Sequence, residues 1–172
     1  MNDNNSRGQS YEDPIYDEIE AQLEREYGLP SGGMKAIRTR GERSNADQVS
    51  PVGARTVYQI MPQTRRLFKK TYGVDAYTSP ADAARVAALH LRDSMRRNGG
   101  SWEAAVGEYH GGTDRRNWGK VNQSYRARVL GRAGGSEGAG SSGYTPREIP
   151  KPKLPTVAEM LGSTPGAMFG EI

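Results

Sequence analysis

The sequence contains no cysteine, which excludes a disulfide framework and a thiolate metal site. Its two histidines, His90 and His110, are too few for a histidine-based zinc site unless carboxylates contribute. No apolar run approaches the ~20 residues needed to cross a bilayer, and the polar N-terminus lacks the apolar segment of a secretory signal. We therefore expect no metal centre, no membrane span and no signal peptide.

Hydrophobic residues are also scarce, at 34% of the chain, whereas glycine and proline number 22 and 10. Part of the chain is therefore not expected to pack into a core. The net charge of +4 favours a polyanionic partner, either nucleic acid or a bacterial cell wall that carries peptide carboxylates. The basic residues form no single arginine-rich block, so nucleic acid is the less favoured partner, and a solvated basic face is an equal alternative.

No stretch alternates apolar and polar residues for long enough to predict a sheet. We therefore predict an all-α domain over residues 13–131, preceded by a flexible arm at residues 1–12. Beyond it, a Gly-, Ser- and Pro-rich linker is expected at residues 132–155. Residues 156–172 combine a capping box with Met168 and Phe169, which favours a short docking peptide over a disordered end.

The helices of the domain are predicted from capping residues and apolar spacing. Asp13-Pro14 opens the first helix, and Ser79-Pro80 opens a largely buried central one. The inward stripe of the first helix is predicted at Ile15, Ile19, Leu23 and Tyr27. Further helical patterns, with breakers between them, cover Ser31–Gly41, Val57–Met61, Leu67–Tyr72, Asp82–Arg97, Trp102–Tyr109 and Val121–Leu130.

Glu42 is the candidate catalytic residue, because it stands at a predicted helix end before a polar loop that leads to Gln59 and Met61. One acid that faces the amide of Gln59, the aromatic ring of Tyr58 and the thioether of Met61 suits glycosidic bond cleavage. Asp47 in the loop could supply a second carboxylate, although a loop residue that bonds its own backbone is the favoured interpretation.

The region from about residue 30 to 130 resembles the soluble lytic transglycosylase family, which is related in fold to goose-type lysozyme. The family's first motif is matched by Glu42, by Ser-Pro-Val-Gly-Ala at 50–54 and by Tyr-Gln-Ile-Met-Pro at 58–62. The second is matched by Glu-Tyr-His-Gly-Gly at 108–112, and the third by Tyr125 and Val129. Arg43 replaces the usual serine after the acid, and His110 replaces an asparagine.

The resemblance implies a lysozyme-like fold and a single catalytic carboxyl that needs no cofactor. Glu42 would protonate the bond between N-acetylmuramic acid and N-acetylglucosamine, then deprotonate the muramic acid 6-hydroxyl to give a 1,6-anhydro product. To do so, burial must raise its pKa, and Arg43 must point away or towards a substrate carboxylate. The residues expected to bind the glycan are Gln59, Met61, Tyr109, Tyr58 and Tyr125.

For Tyr58 and Tyr125, simple packing is an equally favoured alternative to a glycan contact. For Gln59, the equal alternative is a structural hydrogen bond. Trp118 could be an exposed sugar platform, whereas Trp102 and His90 are expected in the core. His110 lies near the expected cleft, but a ligand role is not favoured for it.

The favoured function is a peptidoglycan lytic transglycosylase carried in a bacteriophage virion, which degrades the wall locally during genome entry. It would act in the host periplasm and bind other tail or ejection proteins through residues 156–172. The alternatives are a lysozyme-type hydrolase of the same fold, a non-catalytic virion or wall-binding module, and, last, a nucleic-acid-binding protein.

Overall fold

The structure, a computed structural model, describes residues 6–132. Within that range it contains helices and loops but no strand, which confirms the all-α expectation; one isolated bridge joins Arg55 and Ile60. The predicted docking peptide, and the linker beyond residue 132, lie outside the described residues. The helices are α1 (Ile15–Tyr27), α2 (Gly33–Ala36) continued by a π-helix (Ile37–Glu42), α3 (Pro62–Tyr72), α4 (Pro80–Arg97), α5 (Trp102–Gly111), a 3₁₀ turn (Arg115–Asn117) and α6 (Lys120–Val129). In the described part of the chain, no helix is long and apolar enough to cross a membrane.

Helix α4 is the centre of the fold and packs between α1 and α5. It begins as predicted, because the Ser79 hydroxyl accepts a hydrogen bond from the Asp82 backbone N–H and Pro80 occupies the first turn. Leu91 and Met95 on its inner face are fully buried. Truncating either side chain to alanine would cost about 2–5 kcal/mol of stability.

Helix α1 buries only part of the predicted stripe, because Leu23 is 3% exposed as expected, but the other buried residues of the helix are Tyr16, Glu20 and Glu24. Ile15 and Ile19 are only partly buried, whereas Glu20 and Glu24 are 1% and 5% exposed. These carboxylates are inside because they satisfy buried donors. The Glu24 carboxylate accepts the backbone N–H groups of Gly32 at 2.9 Å and Met34 at 3.0 Å, so it caps the start of α2.

The expectation of a mobile N-terminal arm is wrong for residues 6–12, which pack against the loop that follows Glu42. The Gln9 carbonyl accepts the Ala46 N–H at 2.7 Å, and the Asn45 side chain accepts the Tyr11 N–H at 3.2 Å. These bonds tie the arm to the loop only three and four residues beyond Glu42.

The helix predicted at Val57–Met61 is also wrong, since residues 43–61 contain no helix. Arg55 and Ile60 instead exchange backbone hydrogen bonds of 3.0 and 2.7 Å around a turn in which Thr56 and Gln59 have positive φ angles. Val57 and Ile60 are buried, so their three-residue spacing imitates a helix face. Met61 is extended, as expected of a residue before proline.

Candidate active site

Glu42 is the last residue of the π-helix that continues α2. The Arg43 N–H bonds the Arg38 carbonyl five residues back at 3.0 Å, and Arg43 itself turns into the left-handed region with φ 50°. Such π segments are rare and occur often at functional sites. The acid therefore stands where the regular helix ends and the chain reverses into the loop.

Gly41 allows α6 to approach this helix end closely. A Cβ atom at position 41 would lie 2.8 Å from the Tyr125 hydroxyl oxygen and 2.9 Å from Val129 Cγ2, which is closer than side chains tolerate. The absence of that atom lets the Tyr125 hydroxyl donate a hydrogen bond to Glu42 Oε1 at 2.8 Å.

The side chain of Arg38, within the π-helix, anchors this segment to α1 and is 1% exposed. Its Nε bonds Glu20 Oε1 at 2.7 Å, and its Nη2 bonds Asp17 Oδ1 at 2.8 Å. The Tyr11 carbonyl accepts a further bond from Nη1. Removing one partner of such a buried ion pair costs about 3–5 kcal/mol, so this cluster fixes the segment that carries Glu42.

The surroundings of Glu42 raise its pKa to about 7. Burial is the largest cause, because it penalises the charged form; the Tyr125 hydrogen bond and the positive charge of Arg128 oppose it. A carboxyl group with this pKa can hold a proton near neutral pH and also release it. The cation that acts on the acid is Arg128, which the sequence analysis missed, whereas the side chain of Arg43 is exposed.

Three of the five expected glycan-binding residues keep surface that a ligand could reach. Met61 is 38% exposed, and Gln59 and Tyr109 are half-buried. The Gln59 amide donates to the Thr56 carbonyl at 2.9 Å, and the Tyr109 hydroxyl donates to the Tyr58 carbonyl at 2.6 Å. Burial raises the pKa of Tyr109, and the negative charge of Glu42 raises it further.

The burial of Tyr58 and Tyr125 argues against their predicted contact with the glycan. The Tyr58 side chain has no exposed surface, and its hydroxyl donates to Glu20 Oε1 at 2.7 Å. Tyr125 is 1% exposed and bonds the acid itself. Both rings therefore position other side chains instead of lining a groove.

Trp118 is not a free sugar platform, since its ring packs against the backbone of α5. A Cβ atom at Gly107 would lie 2.4 Å from the ring, and the indole N–H bonds the Gly112 carbonyl at 2.9 Å. Asp47 is exposed in a turn, which agrees with the favoured interpretation of a loop residue. Burial lowers the pKa of His90 to about 4, and its ring lies 5.1 Å from that of Tyr109.

Glu108, in the second motif, is a structural residue that sequence reasoning did not single out. Its buried carboxylate accepts hydrogen bonds from Arg97 at 2.8 Å, from Asn98 at 2.7 Å and from the Ser94 hydroxyl. Burial raises its pKa, but the bonds from Asn98, Ser94 and Arg97 outweigh that effect and hold it below the ordinary value. This cluster fixes α5, and with it Tyr109, against α4. Among residues 6–132, no group of three or more His, Asp or Glu side chains could hold a metal ion.

Comparison with known proteins decides the family. The family described as "Transglycosylase SLT domain" matches residues 18–130, which is 113 of the 172 residues. The chain belongs to this family. A curated relative, the transglycosylase of Enterobacteria phage PRD1, is 35% identical over 105 residues, which are 61% of this chain and 38% of the relative.

Two solved structures share the fold. One is an inactive mutant of the lytic transglycosylase Slt from Pseudomonas aeruginosa, with a TM-score of 0.61 and 21% identity over 68% of this chain and 23% of that one. The other is the 70-kDa soluble lytic transglycosylase of Escherichia coli, with a TM-score of 0.57 and 21% identity over 67% and 23%. The lysozyme-like helical fold implied by the motifs is confirmed. The chain spans less than half of the phage relative and about a quarter of the two solved enzymes.

Proposed function

We propose that the protein is a peptidoglycan lytic transglycosylase with Glu42 as its single catalytic residue. The observation that carries this proposal is the state of that carboxyl group. It is half-buried, its pKa is raised to about 7, and Tyr125 holds one oxygen at 2.8 Å. A general acid that must later act as a base works best when its pKa lies near the operating pH.

In the net reaction, one proton moves from the muramic acid 6-hydroxyl to the glycosidic oxygen, and the 6-oxygen replaces that oxygen on C1. Protonated Glu42 donates to the glycosidic oxygen between N-acetylmuramic acid and N-acetylglucosamine, and the bond from C1 to that oxygen breaks. The Glu42 carboxylate then takes the proton from the muramic acid 6-hydroxyl, whose oxygen bonds C1. The product is a 1,6-anhydro sugar. Because the attacking hydroxyl belongs to the same residue as C1, the step is intramolecular.

The absence of a second acid near Glu42, within the part of the chain that the structure describes, supports this route over hydrolysis. No carboxylate contributes to the pKa of Glu42. Glu20 and Glu108 are committed to buried partners, and Asp47 is exposed. Retaining glycosidases place two carboxyl groups about 5–5.5 Å apart, and inverting ones about 6.5–9.5 Å apart. Because no described carboxylate acts on the pKa of Glu42, the hydrolase is the less favoured alternative.

The test is a digest of purified sacculi by the wild type and by Glu42→Gln, with Glu18→Gln as a control. Glu18 is exposed on α1, away from the site, so its replacement preserves activity while removing the same charge. We expect the wild type and the control to release 1,6-anhydro muropeptides and Glu42→Gln to release none. Reducing-end products from the wild type would identify a hydrolase. Binding to sacculi without soluble product would favour a non-catalytic wall-binding module.

The phage relative supports a biological setting in which the enzyme travels in a virion, opens the host wall locally during genome entry and acts in the periplasm. Residues 156–172 would then dock it to another virion protein. If so, purified particles contain the protein, and particles assembled with a chain that lacks residues 156–172 do not.

A further inference from the structure

His110 stacks on the tyrosine that bonds Glu42, and a buried amide fixes the tautomer of its ring. Asn122, which is 1% exposed, accepts a bond from Arg126 Nε at its Oδ1 at 2.9 Å. Its Nδ2 donates to the Gly107 carbonyl at 2.9 Å. A guanidinium can only donate and a backbone carbonyl can only accept, so these two bonds leave one orientation for the Asn122 amide.

The same Asn122 nitrogen lies 3.2 Å from His110 Nδ1. An amide nitrogen only donates, so Nδ1 must accept with its lone pair, and the proton of the neutral ring is on Nε2. A second proton, on Nδ1, would point at the side-chain N–H of Asn122, so two donors would meet without an acceptor. Burial and the positive charge of Arg128 also lower the pKa of His110, which favours the neutral ring at neutral pH.

The imidazole is placed directly above the residue that holds the acid. Its ring stacks on that of Tyr125 with centroids 4.4 Å apart and planes at 29°, and the Tyr125 hydroxyl bonds Glu42. His110 is exposed, whereas Tyr125 beneath it is buried. Since Nδ1 faces Asn122, Nε2 is the nitrogen left for a ligand, and no residue in the described range bonds it.

We propose that His110 is a substrate-binding residue, whose Nε2–H donates a hydrogen bond to the acetamido carbonyl oxygen of the sugar bound beside Glu42. The acetamido carbonyl of an N-acetylated glycan is an acceptor that carries no proton of its own, so it can receive the Nε2–H bond. This role rests on the proposed function of Glu42. Both a neutral histidine with its proton on Nε2 and an asparagine offer an N–H donor at this position.

The first test measures the tautomer directly in the full chain. The ¹⁵N-labelled protein contains only two histidines, and the His110→Asn variant identifies the signals of His110 by their loss. At pH 7.5 we expect the chemical shifts of a protonated Nε2 and an unprotonated Nδ1. A proton on Nδ1, or an equal mixture of tautomers, would overturn the inference.

The second test separates donation from packing. His110→Phe retains a ring on Tyr125 but has no donor, whereas His110→Asn offers an amide N–H. We expect kcat/KM on sacculi to fall about 3- to 10-fold in His110→Phe and to be largely restored in His110→Asn, as for the loss of one neutral hydrogen bond. Gln123→Ala, at an exposed position on α6, is the control and should match the wild type.

A substrate that lacks the proposed acceptor provides a further control. On de-N-acetylated sacculi the acceptor is missing, so the difference between the wild type and His110→Phe should disappear. If His110→Phe matches the wild type on native sacculi while Glu42→Gln is inactive, the inference fails and the proposed function stands. Activity in Glu42→Gln would overturn the proposed function, and the binding role with it.

Discussion

Replacing Glu42 by Gln should make the protein more stable above pH 7 while abolishing its activity. The folded-state pKa of this carboxyl is about 7, against an ordinary value of 4.5, because burial penalises its charged form. Between these two pH values the folded protein keeps a proton that the unfolded chain has lost. The free energy of unfolding therefore falls as the pH rises from about 4.5 to about 7, and the loss is complete above that range.

The size of the effect follows from the difference in pKa. A shift of 2.5, the difference between 7 and 4.5, corresponds to about 3 kcal/mol at ~1.36 kcal/mol per unit. Glutamine does not titrate, and its side-chain oxygen can still accept the Tyr125 hydrogen bond. The variant should therefore match the wild type near pH 4 and exceed it by up to about 3 kcal/mol at pH 8. For a domain of this size, the melting temperature would differ by on the order of 10 °C.

Thermal or urea unfolding of both proteins from pH 4 to pH 8 measures this difference. Other titrating groups, such as His90, are present in both chains and cancel in the subtraction. Glu18→Gln, at an exposed position on α1, provides the control for the loss of a carboxylate. Parallel stability curves for the wild type and Glu42→Gln would show that the folded-state pKa is not raised, and the acid–base proposal would lose its main support.

Three further predictions concern the groups that hold Glu42. Tyr125→Phe removes a bond that lowers the pKa of the acid, so the alkaline limb of the pH–rate profile should move up by about one unit, and an unmoved limb would contradict the assignment. Gly41→Ala forces a Cβ against the Tyr125 hydroxyl oxygen, so denaturant unfolding should show that the free energy of unfolding falls by about 1–3 kcal/mol. Wild-type stability would mean that α6 can move to accommodate the added methyl group at little cost. Deleting residues 1–12 removes the Gln9 bond to Ala46, so both the melting temperature and kcat should fall; unchanged values would show that the arm does not support the loop.

The sequence predicted those parts of the fold that depend on local signals. Ser79 caps α4 as predicted, and signals of the same local kind act elsewhere, since Ser101 caps α5 and Gly28 and Gly73 end α1 and α3. Each of these signals acts within one helical turn, so it can be read without knowledge of distant residues.

The errors concern features that depend on distant partners. Glu20 reads as a solvent-facing charge until Arg38 and Tyr58, 18 and 38 residues away, are placed against it. Likewise, a neutral donor at His110 cannot be inferred until Asn122 is known to lie beside it. The motif order singled out Glu42 as the candidate acid, but it could not decide between a groove role and packing for Tyr58 and Tyr125, because a motif does not show which way a side chain points.

The buried ion pair next to the site explains how an acid with a pKa of about 7 can exist on a segment that also carries a buried arginine. Arg38 lies four residues before Glu42 and is fully charged, and an unpaired cation there would stabilise the carboxylate form of the acid. Glu20 and Asp17 bond the guanidinium, and Arg38 is not among the groups that act on Glu42. Arg128, which does act on it, is exposed, so water screens its charge. The cluster on α1 therefore fixes the helix end and also keeps the nearest buried positive charge from lowering the pKa of the acid.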